Sequence, residues 1–186
     1  MLEKVPEMLG HALGGVRAGL DHTLYEREAG LLATITVTSP AFAEGAALDA
    51  RFTEDGAGTS PPLAWTGVPA GTQELVLLVE DADSPTPKPI VHLVAFGLAA
   101  ADGQIGEGAF SGEMAHAGAG RNTFGKTGWL PPDPPTGHGD HRYCFQLFAL
   151  DRVSGLDQAA GRTAIAEMVA AHGIARGRLI GTYRRG

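Results

Sequence analysis

The sequence predicts a mainly β fold of largely antiparallel strands, with one late helix and a helical N-terminal extension. Three observations carry this. Apolar and β-branched runs recur from Leu31 onward, separated by turns rather than by regular crossover helices. One later stretch alone, "GRTAIAEMVAAHG", has a helical period. The 27 glycines and 12 prolines in 186 residues imply many turns and irregular connections.

The elements follow in order. In residues 1–29, Leu2, Val5, Leu9, Val16, Leu20 and Leu24 recur at near-helical spacing, an amphipathic pattern. Gly10, Gly14, Gly15 and Gly19 weaken it, at about 1 kcal/mol each relative to alanine. The reading is a broken helix lying on the body, whose apolar stripe also offers a surface for pairing two copies as a homodimer. "LLATITVTSPAF" is a strand that ends at Ser39-Pro40, and "PPLAWTGVP" is a short extended piece. "ELVLLVEDAD" is apolar on both faces, so it belongs between layers. "VHLVAFGL" is another strand, and residues 103–128 are glycine-rich with little period. "HRYCFQLFAL" and "ARGRLIGTYRR" are strands on either side of the late helix, where Ile165, Met168, Val169 and His172 share a face and Gly173 stops the turn.

Composition excludes several functions. Fourteen basic residues stand against 21 acidic ones, a net charge of −7. That balance disfavours a broad nucleic-acid surface and adhesion to anionic membrane. No apolar run reaches the length of a membrane span, so no integral membrane association is expected. The single cysteine, Cys144, allows no internal disulfide, and the start of the chain lacks a secretory pattern; a cytoplasmic location is expected.

"GDHRY", residues 139–143, sets polar groups at the mouth of an apolar strand, where each needs a partner or a purpose. His141 and Tyr143 share a face of that strand, as Asp81 and Asp83 do on theirs if it extends so far, and His92 opens a third strand. Three strand ends carrying acid, imidazole and phenol can converge on one small site. Taken singly, each group also has a plain structural role: a turn-capping aspartate, a satisfied core histidine, a packed tyrosine. Arg142 faces the other way and reads as a salt-bridge or rim residue, His138 as a solvated loop residue within reach of the rim, and Trp65 and Trp129 as packing residues, with Trp129 also a candidate lid.

"EDADSPTPKPIVH", "RNTFGKTGWLPPDPPTGHGDHRY" and "RLIGTY", in this order and spacing, resemble the phosphatidylethanolamine-binding protein family, in its bacterial branch of Raf-kinase-inhibitor-like proteins. The resemblance covers roughly residues 31–186. It implies a two-sheet antiparallel β-sandwich over residues 30–186, with a C-terminal helix, preceded by the extension at 1–29. It also implies a small anion pocket lined by Asp81, His92, His141 and Tyr143, organised by Asp83, with the stretch around Pro132 to Pro135 at its rim. The expected ligand is a phosphate-bearing or carboxylate anion, such as a phospholipid head group. A partner kinase or protease that the protein inhibits is a further implication, and no cofactor is expected. The sequence departs from the family pattern at Ala82, Thr123 and Pro131, and in the missing tryptophan beside His92.

Two rival readings use the same residues. Asp81, Asp83, His92 and His141 are plausible ligands of a divalent metal. An Asp–His pair could activate water for hydrolysis, or Ser84 could act as a nucleophile, although no Gly-x-Ser-x-Gly elbow is present. Strand parity turns Cys144 away from His141, which disfavours a Cys–His dyad.

Overall fold

The computed structural model describes residues 11–31, 33–111 and 118–185. Among these residues nine strands form two packed sheets. They are β1 (Ala33–Thr34), β2 (Thr36–Thr38), β3 (Leu63–Thr66), β4 (Glu74–Asp81), β5 (Ile90–Leu98), β6 (Gly103–Ile105), β7 (Gly118–Ala119), β8 (His141–Leu150) and β9 (Gly173–Tyr183). The larger sheet has the order β1-β9-β8-β4-β5-β7 and the smaller β2-β3-β6. All pairings between these strands are antiparallel except β1 with β9.

The doubly apolar β4 is central, and all eight of its residues are buried. Leu75, Leu77 and Val79 face the space between the sheets, where they meet Val37, Leu63, Trp65, Phe145 and Leu147. Val76 and Leu78 face the opposite layer, with Val94 and Phe148. That layer is closed by a helix, α2 (Arg162–His172), through Ile165 and Val169. The expected face of α2 is the one that packs. At its end the chain passes directly into β9 at Gly173, and His172 Nδ1 lies 3.1 Å from Asp151 Oδ1.

The run "LLATITVTSP" is not one strand. The chain leaves the large sheet after β1 and enters the small one at β2, with Ile35 at the crossing. The Ile35 N–H donates to Arg176 O at 2.9 Å, which holds the crossing tight against β9. Gly177 permits this approach, because a Cβ there would sit 2.2 Å from the Ile35 carbonyl oxygen.

No continuous helix runs through the described part of the N-terminal segment. It has a helical turn at residues 11–13, a 3₁₀ turn (Leu20–His22) and the four-residue α1 (Leu24–Arg27). Residues 14–19 between them are not helical, and Gly19 adopts φ +98°. Leu24 packs into the layer beneath α2, and Leu20 against Ala82, Cys144 and Ile180. The remainder of the amphipathic pattern, Leu2, Val5, Leu9 and Gly10, lies outside the described residues.

A buried polar cluster fastens this segment to the sheet. Glu80 is fully buried and accepts hydrogen bonds from the Leu24 N–H (2.8 Å), Gln146 Nε2 (2.9 Å) and Arg162 Nε (2.6 Å). Gln146 in turn accepts from the Tyr25 N–H at 2.6 Å.

Candidate functional site

Register brings the polar strand ends together. Asp81, the last residue of β4, pairs with Tyr143 on β8 and with Ile90 on β5. His141 lies two residues before Tyr143, on the same face. On the other side Leu93 pairs with Val79 and Val91 with Glu80, so His92 is the extra residue of a β-bulge. Bulges redirect a side chain, and this one turns an imidazole toward the strand ends.

Asp81, His92, His141 and Tyr143 therefore converge. His141 Nδ1 lies 2.8 Å from Asp81 Oδ2, and the rings of His92 and Tyr143 meet edge to face at 5.1 Å between centroids. The other oxygen of Asp81 accepts from the Asp83 N–H at 2.8 Å. A cavity of about 200 Å³ opens here, walled by Asp81, His92, Ile90, Phe124, Lys126 and Leu130, with Pro131, Asp133 and Glu54 completing it. Asp81 and His92 thus line the cavity, while His141 and Tyr143 stand buried behind that wall.

Hydrogen bonding assigns the roles of the rings. His92 Nδ1 lies 2.7 Å from the Leu130 carbonyl, which can only accept, so the ring proton sits on Nδ1. Burial, ahead of an opposing attraction to Asp81, pushes His92 below the usual histidine range and keeps it neutral. Its Nε2 is therefore an acceptor. Among the described residues neither His92 Nε2 nor the Tyr143 hydroxyl has a hydrogen-bond partner, although both are buried.

The remaining expected residues support the wall. Pro132 is buried between the lining residues Pro131 and Asp133, and its carbonyl accepts from the Glu54 N–H at 3.0 Å. Asp83 accepts two bonds from the Arg142 guanidinium, at 2.6 and 2.7 Å, and one from the Arg142 N–H. Arg17 approaches Asp83 to 3.1 Å. Arg142 is the salt-bridge residue its strand parity suggested. Burial would raise the Asp83 carboxyl, but the Arg142 hydrogen bonds and charge outweigh it and hold the group below the usual range. A depressed carboxylate stabilises the fold above the unfolded value, about 3.9, and that contribution is lost as pH falls through the folded value. Between pH 5 and 3 the wild type should therefore lose stability more steeply than Asp83→Asn in denaturant titrations. Parallel losses would refute this.

Sequence reasoning missed two features. His138 is not a solvated loop residue: it is 2% exposed, and its Nδ1 lies 2.6 Å from His141 Nε2. Gly137 (φ +79°) and Gly139 (φ +95°) flank it in the left-handed region and form the turn in which it is buried. That Gly-His-Gly pattern was the available signal. Lys126, the cavity's cation, comes from the glycine-rich stretch where no period marked it.

Ser84 is buried, and its hydroxyl bonds Asp81 O and Thr86 Oγ1 and accepts from the Ile90 N–H. Among the described residues no group of three His, Cys, Asp or Glu is arranged to hold a metal ion. Trp129 is no lid: it stacks on Phe145 in the core and donates to Phe52 O.

A family model described as phosphatidylethanolamine-binding protein matches residues 38–184. The chain belongs to the phosphatidylethanolamine-binding protein family. It is 36% identical over 148 residues to a UPF0098 protein of Methanothermobacter thermautotrophicus, covering 78% of this chain and 96% of that one. A crystal structure of a family homologue from Chlamydia trachomatis superposes with a TM-score of 0.75 at 32% identity, over 83% of this chain and 99% of the other. Escherichia coli YbcL, a family member, gives a TM-score of 0.75 at 28% identity, over 83% and 100%. The family's fold is thus the sandwich described above. Among the described residues no helix is long and apolar enough to cross a membrane.

Proposed function

We propose that the protein binds a small molecule through a phosphate- or carboxylate-bearing head group of monoanionic or zwitterionic character, in the cavity beside Asp81 and His92. One observation carries this reading: the same 200 Å³ cavity presents one ammonium, Lys126, and carboxylates from Glu54, Asp81 and Asp133. Lys126 attracts the anionic group. The carboxylates favour an amine on the same ligand and oppose a dianion. Asp133 is itself engaged by Arg185, and Asp81 by His141 and the Asp83 N–H, so Glu54 is the acid nearest to this role. Ile90, Phe124, Leu130 and Pro131 supply apolar wall for the carbon part.

A phosphomonoester passes from monoanion to dianion near pH 6. In calorimetric titrations, phosphoethanolamine is expected to bind more tightly than inorganic phosphate at pH 7. Phosphoethanolamine should weaken at least about tenfold between pH 5.5 and pH 8 as its monoanion disappears, and inorganic phosphate, which loses its second proton about one pH unit higher, should weaken less steeply. Lys126→Ala should weaken phosphoethanolamine about tenfold. Tighter binding of inorganic phosphate at pH 8 than at pH 5.5, or no effect of Lys126→Ala, would reject the reading.

A further inference from the structure

Asp81, His141 and His138 form a row that ends on the N-terminal segment. The contacts are 2.8 Å from Asp81 Oδ2 to His141 Nδ1, 2.6 Å from His141 Nε2 to His138 Nδ1, and 2.9 Å from His138 Nε2 to the Leu13 carbonyl oxygen. All three side chains are buried, with His141 and His138 at 0% and 2% exposure. Each contact needs one hydrogen. An ionised carboxylate and a backbone carbonyl bring none, and two neutral imidazoles bring two. Three contacts therefore require a third proton.

We propose that this row is a one-proton latch: the strap formed by residues 11–16 docks on His138 only while the row holds one proton beyond two neutral rings. The Leu13 carbonyl fixes a hydrogen on His138 Nε2. The additional proton belongs to His141, beside the Asp81 carboxylate, so that His141 donates from Nδ1 to Asp81 and from Nε2 to His138. His138 stays neutral, in accord with burial and the neighbouring His141 charge pushing it below the usual histidine range. Remove the third proton, and one contact fails: bare nitrogen faces the Asp81 carboxylate, two nitrogen lone pairs face each other at 2.6 Å, or His138 abandons Leu13. Add a fourth, and two N–H groups collide there.

The groups facing the row come from four strands and the N-terminal segment, with Tyr183 on β9 paired in register with His141. Asp81 ends β4, and the rings of His92 and Tyr143 approach from β5 and β8. From the N-terminal segment, Arg17 donates to the carbonyls of His138 and Asp140 and approaches Asp83, whose charge it shares with Arg142, while His11 packs against Gly137. Beyond the strap the chain is anchored separately, by the Ala18 N–H to Ser84 O and the Gly19 N–H to Ala82 O. The strap can thus lift without freeing the rest. Because Asp81 also lines the cavity, the latch ties strap docking to the charge of the cavity wall.

Docking should be bell-shaped in pH. On the alkaline side the docked state holds one more proton than the lifted state, so docking weakens by up to about tenfold per pH unit. On the acid side, below an ordinary histidine value near 6.5, the lifted state takes up the fourth proton and docking weakens again. The test is ring-¹⁵N spectroscopy of the histidines in the ligand-free full chain from pH 5 to 9, with amide hydrogen exchange of residues 11–16 corrected for intrinsic rates. The expected result is His141 protonated on both nitrogens and His138 on Nε2 alone at the pH of greatest strap protection, with protection falling about tenfold or more toward either end. His138→Ala should abolish strap protection at every pH while the amides of β4 and β8 stay protected. Two neutral rings beneath a protected strap, or protection flat with pH, would overturn the latch. No ligand enters this experiment, so its failure leaves the binding reading standing, and the reverse holds.

Discussion

Glu80→Ala is expected to lower the unfolding free energy by about 3–5 kcal/mol, the range for removing one member of a buried ion pair. The carboxylate is fully buried and accepts from Arg162, Gln146 and the Leu24 N–H. Deleting it leaves a guanidinium, an amide and a backbone N–H to find new partners, and the Arg162 side chain is only 19% exposed. Glu80→Gln keeps the shape and one acceptor oxygen but loses the charge, so it should cost less. Chemical denaturation reads both, as a shift of the midpoint at unchanged slope. Amide exchange at Leu24 should rise in both variants, because that N–H donates to the carboxylate. A Glu80→Ala protein within about 1 kcal/mol of the wild type would show that the cluster contributes little to stability.

Native Cys144 is expected to react with a neutral thiol reagent at least about a thousandfold more slowly than the same residue in the unfolded chain. Burial pushes its thiol from an ordinary value of 9.0 up to about 12. At pH 8 that rise lowers the thiolate fraction about a thousandfold, and the thiolate is the nucleophile. The side chain is 0% exposed and packs with Ala82, Ile180 and Leu20, so access slows it further. Labelling should be complete in denaturant and negligible without it. Rapid native labelling would show that this side of the sheet opens, and would reopen a covalent role for the cysteine.

Much of the scaffold was legible because β4, β5, β8, α2 and β9 each carry a local signal. In β4 that signal was apolarity on both faces, which only a strand between two layers satisfies. The exchange of sheets at Ile35 was not legible. Its cause lies in Gly177, more than a hundred residues away, whose missing side chain admits the crossing. Strand parity left the convergence of Asp81, His92, His141 and Tyr143 open and the family motifs implied it, but nothing in the sequence pointed to the proton on His92. That proton depends on the Leu130 carbonyl, a backbone atom that no pattern marks. The N-terminal apolar stripe was visible, yet its glycines let the described part break into short turns that follow the sheet. His138 was misread because a loop residue has no period. Its burial depends on two left-handed glycines and a strap far away in sequence.

The Glu80 cluster also separates two kinds of boundary. The family-model match begins at residue 38, yet Leu24 is a buried member of the layer under α2, and Tyr25 and Leu31 pack against it. A chain shortened to that limit would expose that grease and take one of three donors from the Glu80 carboxylate, so residues 24–31 complete a layer that the matched segment leaves open.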